Sequence, residues 1–543
     1  MRFVALLCLP ALTYAQSTFE GKILDKESGA PVSFASVGIV GTSRGTVANL
    51  DGEFALTVPA SQSIKITCVG YESLVAEAPA PDQRYILTPS NTRLKDLTIF
   101  GSEVSGERIV MRAMKAIKKN MYTKSFLQRF FYRHYCKDDS AYGRLIEAAV
   151  EVDKKKGYRM QRSYAGQKEQ MRVTQIRRSF DRTNVANAHM PIALTQILVS
   201  DPAGYQAKGQ YGFGQSYVSS LKTYRKRYDF KVEGISSYDG KDVYVVGYKN
   251  KSNTGPGGLL VYGQSGTLYI ATGTYAIVKA ETIRSSPYDT MRTTVFYREW
   301  KGKYYPYHTV RNGKSFYPKA NFYHNYHVEL MSSEIVTGKY EKFKGEAPSR
   351  ESLLQIPFDS AFWATYPIVK ATPLEESIIS DLGGGRSLNE QFNVYQKQEL
   401  ETLEKMKSGE ANFNKFREDS RGKRILYVDF WASWCKPCLE EMKDELKIAA
   451  EYAGKVTFVM LSIDKDEEAW QKALTRFRLR QPGIIHYRIG PDADLLQFYI
   501  TRGIPHYVLI GRDGEHFSID AKRPSNPELR KDFEALLNGQ DDK

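Results

Sequence analysis

Two cysteines three residues apart, Cys435 and Cys438, stand where the pattern of the chain changes. Before them, Arg424-Ile425-Leu426-Tyr427-Val428-Asp429-Phe430-Trp431-Ala432 reads as a buried-strand run. After them, Leu439, Met442, Leu446 and Ala449 recur at helical spacing, with Glu440, Asp444 and Lys447 off that stripe. A strand therefore runs straight into a helix whose first turn holds both thiols. Free backbone N–H groups and the positive end of the helix dipole stabilise a thiolate there, lowering a cysteine pKa from about 8.5 toward or below 7. The thiolate is the attacking species in disulfide exchange. A second cysteine one helical turn later closes an intramolecular disulfide with little rearrangement. Pro437 removes an N–H that is unpaired in a first turn anyway, and Lys436 adds a nearby positive charge. The chemistry these residues point to is thiol–disulfide exchange.

Two other uses of a cysteine pair compete with it: half a zinc site and a structural disulfide. Zinc needs two further ligands at suitable spacing. His486 and His506 form no paired motif, and a strand-then-helix context with Trp434 beside the first thiol is wrong for zinc. A peroxidase would carry Thr three residues before a single reactive cysteine, where Ala432 stands. His324 and His327 invite a metal reading, but three-residue spacing on a strand sends the rings to opposite faces. Gly212-Phe213-Gly214 lacks the strand–turn–helix context of a nucleotide loop. Neither a metal nor a cofactor is expected.

Phe430-Trp431-Ala432-Ser433-Trp434-Cys435-Lys436-Pro437-Cys438 resembles the active-site motif of the thioredoxin superfamily, and more closely that of its exported TlpA/ResA-like branch. The resemblance continues through a strand at Val456–Ile463, a helix to Phe477, Gly503-Ile504-Pro505, strands at His506–Ile510 and Glu515–Ile519, and a closing helix with Asn526 as N-cap and Pro527 at its first position. It implies an α/β thioredoxin fold with Cys435 as nucleophile and Cys438 as resolving thiol. Asp429 falls where thioredoxin has a buried acid that relays the resolving cysteine's proton. Pro505 matches the family's cis-proline, and Ile504 before it would offer backbone hydrogen bonds to an extended substrate. Trp434 is taken as a further substrate contact, and Lys436 and Pro437 as residues that tune the site. Lys443 and His506 depart from the family pattern, where a helix-kinking Pro and a Thr are usual.

The elements around this segment divide the chain. Met1 to Ala15 combines a short positive end, an apolar stretch and a small residue at the cut, and reads as a signal peptide. Residues 16–98 show short strands punctuated by turns, the pattern of a small antiparallel β-sandwich. Gly21-Lys22-Ile23-Leu24-Asp25, Gly29-Ala30-Pro31, Asp51-Gly52-Glu53-Phe54 and Gly70-Tyr71-Glu72 resemble the carboxypeptidase regulatory-like domain of Bacteroidetes-type exported proteins, which implies an accessory module without catalytic residues. Residues 99–357 open with a helix at Gly106–Asn120 and continue as long Tyr-rich alternating segments, with turns expected at Asp239-Gly240, Pro256-Gly257 and Asn312-Gly313. A large curved antiparallel sheet is expected. Residues 358–400, with Pro367, Pro373 and Gly383-Gly384-Gly385, read as a partly ordered linker, and 401–543 as the thioredoxin-like domain. The fold class is multidomain: an all-β sandwich, a β-rich middle domain and a C-terminal α/β domain.

Composition is consistent with this division. The 543 residues exceed one ordinary domain, and five cysteines are too few for a disulfide framework. Cys68 and Cys136 could bridge in an oxidising compartment, but nothing in the sequence sets their separation. The net charge of +15 is uneven: residues 99–400 hold 45 basic and 28 acidic side chains, a surplus of 17, while the flanking domains are near neutral. The expected function is an exported oxidoreductase of the periplasm or cell envelope, not an integral membrane protein. It would exchange disulfides with envelope proteins and draw electrons from a membrane thiol donor. The alternative is an envelope or surface binding protein, for an anionic glycan or lipid, with an accessory redox domain. Nucleic acid is not expected as a partner of an exported chain.

Overall fold

The computed structural model describes residues 16–59, 62–77, 82–90, 105–139, 141–155, 157–158, 169–181, 221, 225–251, 263–317, 321–344, 353, 355–356, 358–383, 388–500 and 503–539. The chain forms two compact units, Met1–Phe392 and Asn393–Lys543. The proposed signal peptide and the Pro256-Gly257 turn lie outside the described residues.

The first seven strands are β1 (Gln16–Asp25), β2 (Ser36–Ile39), β3 (Gly45–Val47), β4 (Glu53–Pro59), β5 (Ile64–Thr67), β6 (Leu74–Ala76) and β7 (Gln83–Leu87). They build two sheets, β4-β1-β7 and β3-β2-β5-β6, around Ile23, Val37, Phe54, Leu56, Ile66 and Tyr85. The sandwich is not wholly antiparallel, because β7 runs parallel to β1 along its edge. Gly52 turns the chain into β4 at φ +73°, and a Cβ there would meet the Ile23 carbonyl at 2.5 Å. Cys68 packs against this core, and burial pushes its thiol up to about 11, the opposite of what a reactive cysteine needs. Neither Cys68 nor Cys136 is in a disulfide.

Helix α1 (Gly106–Asn120) starts where Ser105 accepts a hydrogen bond from the Arg108 N–H, and buries Ile109, Val110, Ala113, Met114 and Ile117. It packs on a ten-stranded sheet formed by β8 (Phe126–Asp138), β9 (Ala141–Lys154), β10 (Glu169–Asp181), β11 (Tyr228–Tyr238), β12 (Lys241–Asn250), β13 (Gly263–Ala271), β14 (Ile277–Ser285), β15 (Asp289–Trp300), β16 (Lys303–Tyr317) and β17 (Phe322–Thr337). The order is β10-β9-β8-β17-β16-β15-β14-β13-β12-β11, with every neighbouring pair antiparallel. Asp239-Gly240 forms the expected two-residue hairpin turn, both residues at positive φ. Asn312-Gly313 does not turn: both lie inside β16. Gly313 is there for close approach, since a Cβ would come within 2.0 Å of the Tyr326 ring on β17.

The stretch after Phe358, linker-like in composition, docks onto this sheet up to Gly383 as α2 (Ser360–Thr365) and α3 (Pro373–Gly383). Trp363 and Val369 pack with Phe131, Phe296 and Met331. Arg133, fully buried on β8, holds the stretch in place. Its Nε donates to Glu147 (2.9 Å), its Nη1 to Glu329 (3.3 Å) and Glu375 of α3 (3.1 Å), and its Nη2 to the Val369 carbonyl (2.7 Å). Composition missed this because the anchoring residues are few and their partners are distant in sequence.

The second unit opens within α4 (Leu388–Ser420). It contains β18 (Ile425–Trp431), α5 (Lys436–Glu451), β19 (Val456–Ser462), α6 (Glu467–Arg476), β20 (Ile484–Arg488), α7 (Asp494–Tyr499), β21 (His506–Ile510), β22 (His516–Ser518) and α8 (Leu529–Leu537). The sheet order is β20-β19-β18-β21-β22, with β18 parallel to β19 and antiparallel to β21. Every residue of β18 is buried, as a central strand covered on both faces must be. The closing helix begins later than Pro527, because the Asn526 side chain instead accepts from the Glu528 N–H in a turn before it. No helix among the described residues is long and apolar enough to cross a membrane.

Candidate active site

Cys435 is the N-cap of α5, and its Sγ accepts a hydrogen bond from the Cys438 backbone N–H at 3.3 Å. That N–H, with the dipole of a four-turn helix behind it, is the group that would stabilise a Cys435 thiolate. The two cysteines are joined in a disulfide, Cys435 only 5% exposed and Cys438 1%. Pro437 occupies the first turn of α5. Trp434 stands out at 54% exposure, an apolar surface beside the disulfide. Lys436 is well exposed and lies 4.0 Å from Glu440, so its charge is shared with that carboxylate.

The loop that presents the disulfide is tied down by a residue the sequence did not single out. Asp464, just past β19 and 1% exposed, accepts from the Ser433 N–H (2.8 Å), the Ser433 hydroxyl (2.7 Å) and the Ser462 hydroxyl (2.7 Å). These charge-assisted bonds hold the segment between Trp431 and Cys435 against the end of the sheet. Ile504 and Pro505, joined by a cis peptide, lead into β21. Because β21 is antiparallel to β18 and His506 pairs with Phe430, they arrive at the same end of the sheet as the disulfide.

Beneath the disulfide lies a pair of buried acids. The buried face of α5 carries Cys438, Glu441, Met442, Glu445, Ile448 and Ala449, so two glutamates share the cysteine's stripe at i+3 and i+7. The apolar-only stripe read from the sequence is rotated from this face. Glu441 accepts from the Ser525 N–H and hydroxyl (3.0 and 2.9 Å). Glu445 has no such donor. It faces Asp429 of β18, which is completely buried and likewise receives no hydrogen bond from an N–H or from a hydroxyl. Burial raises both carboxyls, Glu445 to about 7 and Asp429 well above its ordinary range; Glu445 and Glu441 push Asp429 up further, while Glu445 is raised further by Glu441 and drawn partly back by its hydrogen bond with Asp429. Two acceptor-only carboxylates cannot satisfy each other, so the pair holds at least one proton between them.

His324 and His327 point to opposite faces of β17, His324 beside Asp138 and His327 beside Asn312. The sequence signal for Glu445 was its seven-residue spacing from Cys438; Asp464 had none.

Residues 19–98 match the family model described as a CarboxypepD_reg-like domain, and residues 422–516 the model described as Thioredoxin-like. The thioredoxin-like protein YneN of Bacillus subtilis is 33% identical over 88 residues, 16% of this chain and 51% of YneN. The thiol-disulfide oxidoreductase ResA of Bacillus cereus is 28% identical over 122 residues, 21% of this chain and 68% of ResA. The thioredoxin domain of a thiol-disulfide oxidoreductase from Bacteroides vulgatus is similar at 25% identity, over 22% of this chain and 84% of that structure, with a TM-score of 0.20. The chain thus spans about half the length of YneN.

Proposed function

We propose that this protein, in which a CarboxypepD_reg-like sandwich and a ten-stranded sheet precede a thioredoxin-like domain, is a thiol–disulfide oxidoreductase of the cell envelope. The observation that carries the reading is a disulfide seated at a helix N-cap, with a backbone N–H directed at the sulfur of Cys435. In the reduced protein the Cys435 thiolate attacks a partner disulfide; one Cys435–partner bond forms and the partner's other sulfur leaves as a thiolate. The Cys438 thiol gives its proton to the Asp429–Glu445 pair and attacks Cys435 Sγ. That restores the internal disulfide and releases the second partner thiolate. Ile504 and Trp434 flank the extended substrate segment, Pro505 shapes its seat, and Lys436 and Pro437 adjust the acidity of Cys435. Return to the dithiol form takes two electrons, which a membrane thiol donor would supply.

Insulin-disulfide reduction tests this reading. Cys435→Ser abolishes it, and Asp429→Asn slows resolution roughly a hundredfold, so that mixed disulfide accumulates. Full activity of Cys435→Ser would refute the mechanism. Trapping with Cys438→Ala in the native cell identifies the partners, and their location tests export past a cleaved signal peptide.

A second reading is favoured by the basic surplus of residues 99–400 and by a large pocket in the ten-stranded sheet. On that reading the middle domain binds an anionic glycan or lipid, and the redox domain is an accessory.

A further inference from the structure

Strand register in the first unit sets two polar rows side by side. Thr290, Lys314, Asn325, Lys137 and Tyr142 are successive partners across β15, β16, β17, β8 and β9. Two residues along, Arg292, Asn312, His327 and Tyr135 form the neighbouring row. Side chains two apart on a strand share a face, so both rows floor one surface, and together they line a pocket of about 540 Å³.

The next row on this face, Glu329, Arg133 and Glu147, explains why the pocket is cationic. Its carboxylates are already committed. Arg133 donates to Glu147, Glu329 and Glu375, Arg177 pairs with Glu147 (2.9 Å), and His308 bonds Glu329 (2.8 Å). The ligand atoms of His327, Glu329 and Glu375 lie within 4.8 Å of one another, but Arg133 takes the place a cation would need. None of these acids lines the pocket. Among the described residues, Lys137, Arg292 and Lys314 have no carboxylate partner. Lys137 lies over the Tyr142 ring (4.8 Å) and Lys314 over the Tyr323 ring (4.2 Å). His327 is stacked on Tyr135 (4.7 Å between ring centres) and bonded through Nδ1 to Asn312 Oδ1 (2.8 Å), which turns the Asn312 amide nitrogen away from the histidine.

We propose that this surface binds a carboxylated oligosaccharide. Lys314, Asn325 and Lys137 alternate cation, amide, cation on adjacent strands about 4.8 Å apart, and Arg292 lies one row, about 7 Å, along. A lone phosphate wants donors converging on one point. Charges spread over a floor of amides, a hydroxyl and tyrosine rings suit an extended ligand with acidic groups on successive rings and hydroxyls between them. The proposal rests on the second reading above and is independent of the redox chemistry.

Calorimetric titration of the full chain tests it, with trigalacturonate as the probe and maltotriose, inorganic phosphate and phosphatidylglycerol vesicles as comparisons. Trigalacturonate is expected to bind with an affinity that falls as salt rises, and maltotriose at least about tenfold more weakly. Arg292→Gln, Lys314→Gln and Lys137→Gln are each expected to lose about five- to tenfold in affinity, with far-UV circular dichroism and insulin reduction unchanged. Binding that is undiminished in these variants overturns the site while leaving the second reading intact. No binding of trigalacturonate, or equal binding of maltotriose, phosphate or vesicles, overturns the ligand class.

Discussion

Asp429 and Glu445 cannot both ionise without placing two negative charges where water does not reach. Among the described residues, the other ionisable groups facing the pair are Glu441 on α5, Tyr427 on β18 and Tyr507 on β21. Both carboxyls are raised, Glu445 to about 7, whereas in the unfolded chain they ionise near pH 4. Between about pH 4 and 7 the folded protein therefore keeps protons that the unfolded chain releases, and stability falls as pH rises through that window. Glu445→Gln is expected to flatten this slope and to raise stability at pH 8 by roughly 2–3 kcal/mol. Urea unfolding at pH 5 and pH 8 measures it, and a wild-type slope in the variant would contradict the assignment. The Cys-Lys-Pro-Cys pair was legible in the sequence because an i, i+3 spacing on a helix is local geometry. Glu445 was not, because its partner lies on a different element.

At the scale of elements, β16 shows how a residue type can mislead. Asn-Gly is the strongest short turn signal, yet here it lies within a 15-residue strand. The reason is across the ladder, where Gly313 pairs with Tyr326 and leaves room for its ring. Gly313→Ala is expected to destabilise the first unit by about 1–3 kcal/mol, since the ring must leave its rotamer or the strands must part. Adding Tyr326→Leu should recover part of that loss in thermal unfolding. If the turn propensity mattered instead, the second change would recover nothing. Other elements behaved as local pattern dictates: α1 begins and ends where Ser105 and the amphipathic stripe place it.

For the whole molecule, the network around Arg133 joins strands β8, β9 and β17 to α3 through one buried guanidinium. Removing it takes the shared cation from three buried carboxylates and leaves Glu147 to Arg177, Glu329 to His308 and Glu375 to the Thr372 N–H. Arg133→Ala is expected to cost about 3–5 kcal/mol, read as lost hydrogen-exchange protection in those strands. Unchanged protection there would show that packing alone carries the docking. The same network engages Glu147, Glu329 and Glu375, and Lys137, Arg292 and Lys314 line a pocket whose described lining holds no acid.

The sequence by itself determined the cysteine pair, the strand and helix that hold it, the strand-and-turn pattern of the N-terminal sandwich and the antiparallel character of the middle sheet. Each follows from spacing within one element, where backbone geometry decides which side chains meet. Only the tertiary structure decided that Glu445 meets Asp429, that Asp464 ties down the Cys435 loop, and that residues 358–383 belong to the sheet. It also decided that Lys137, Arg292 and Lys314 share a floor. Those meetings depend on strand register and on which face is buried, and both are set by the packing of the whole core.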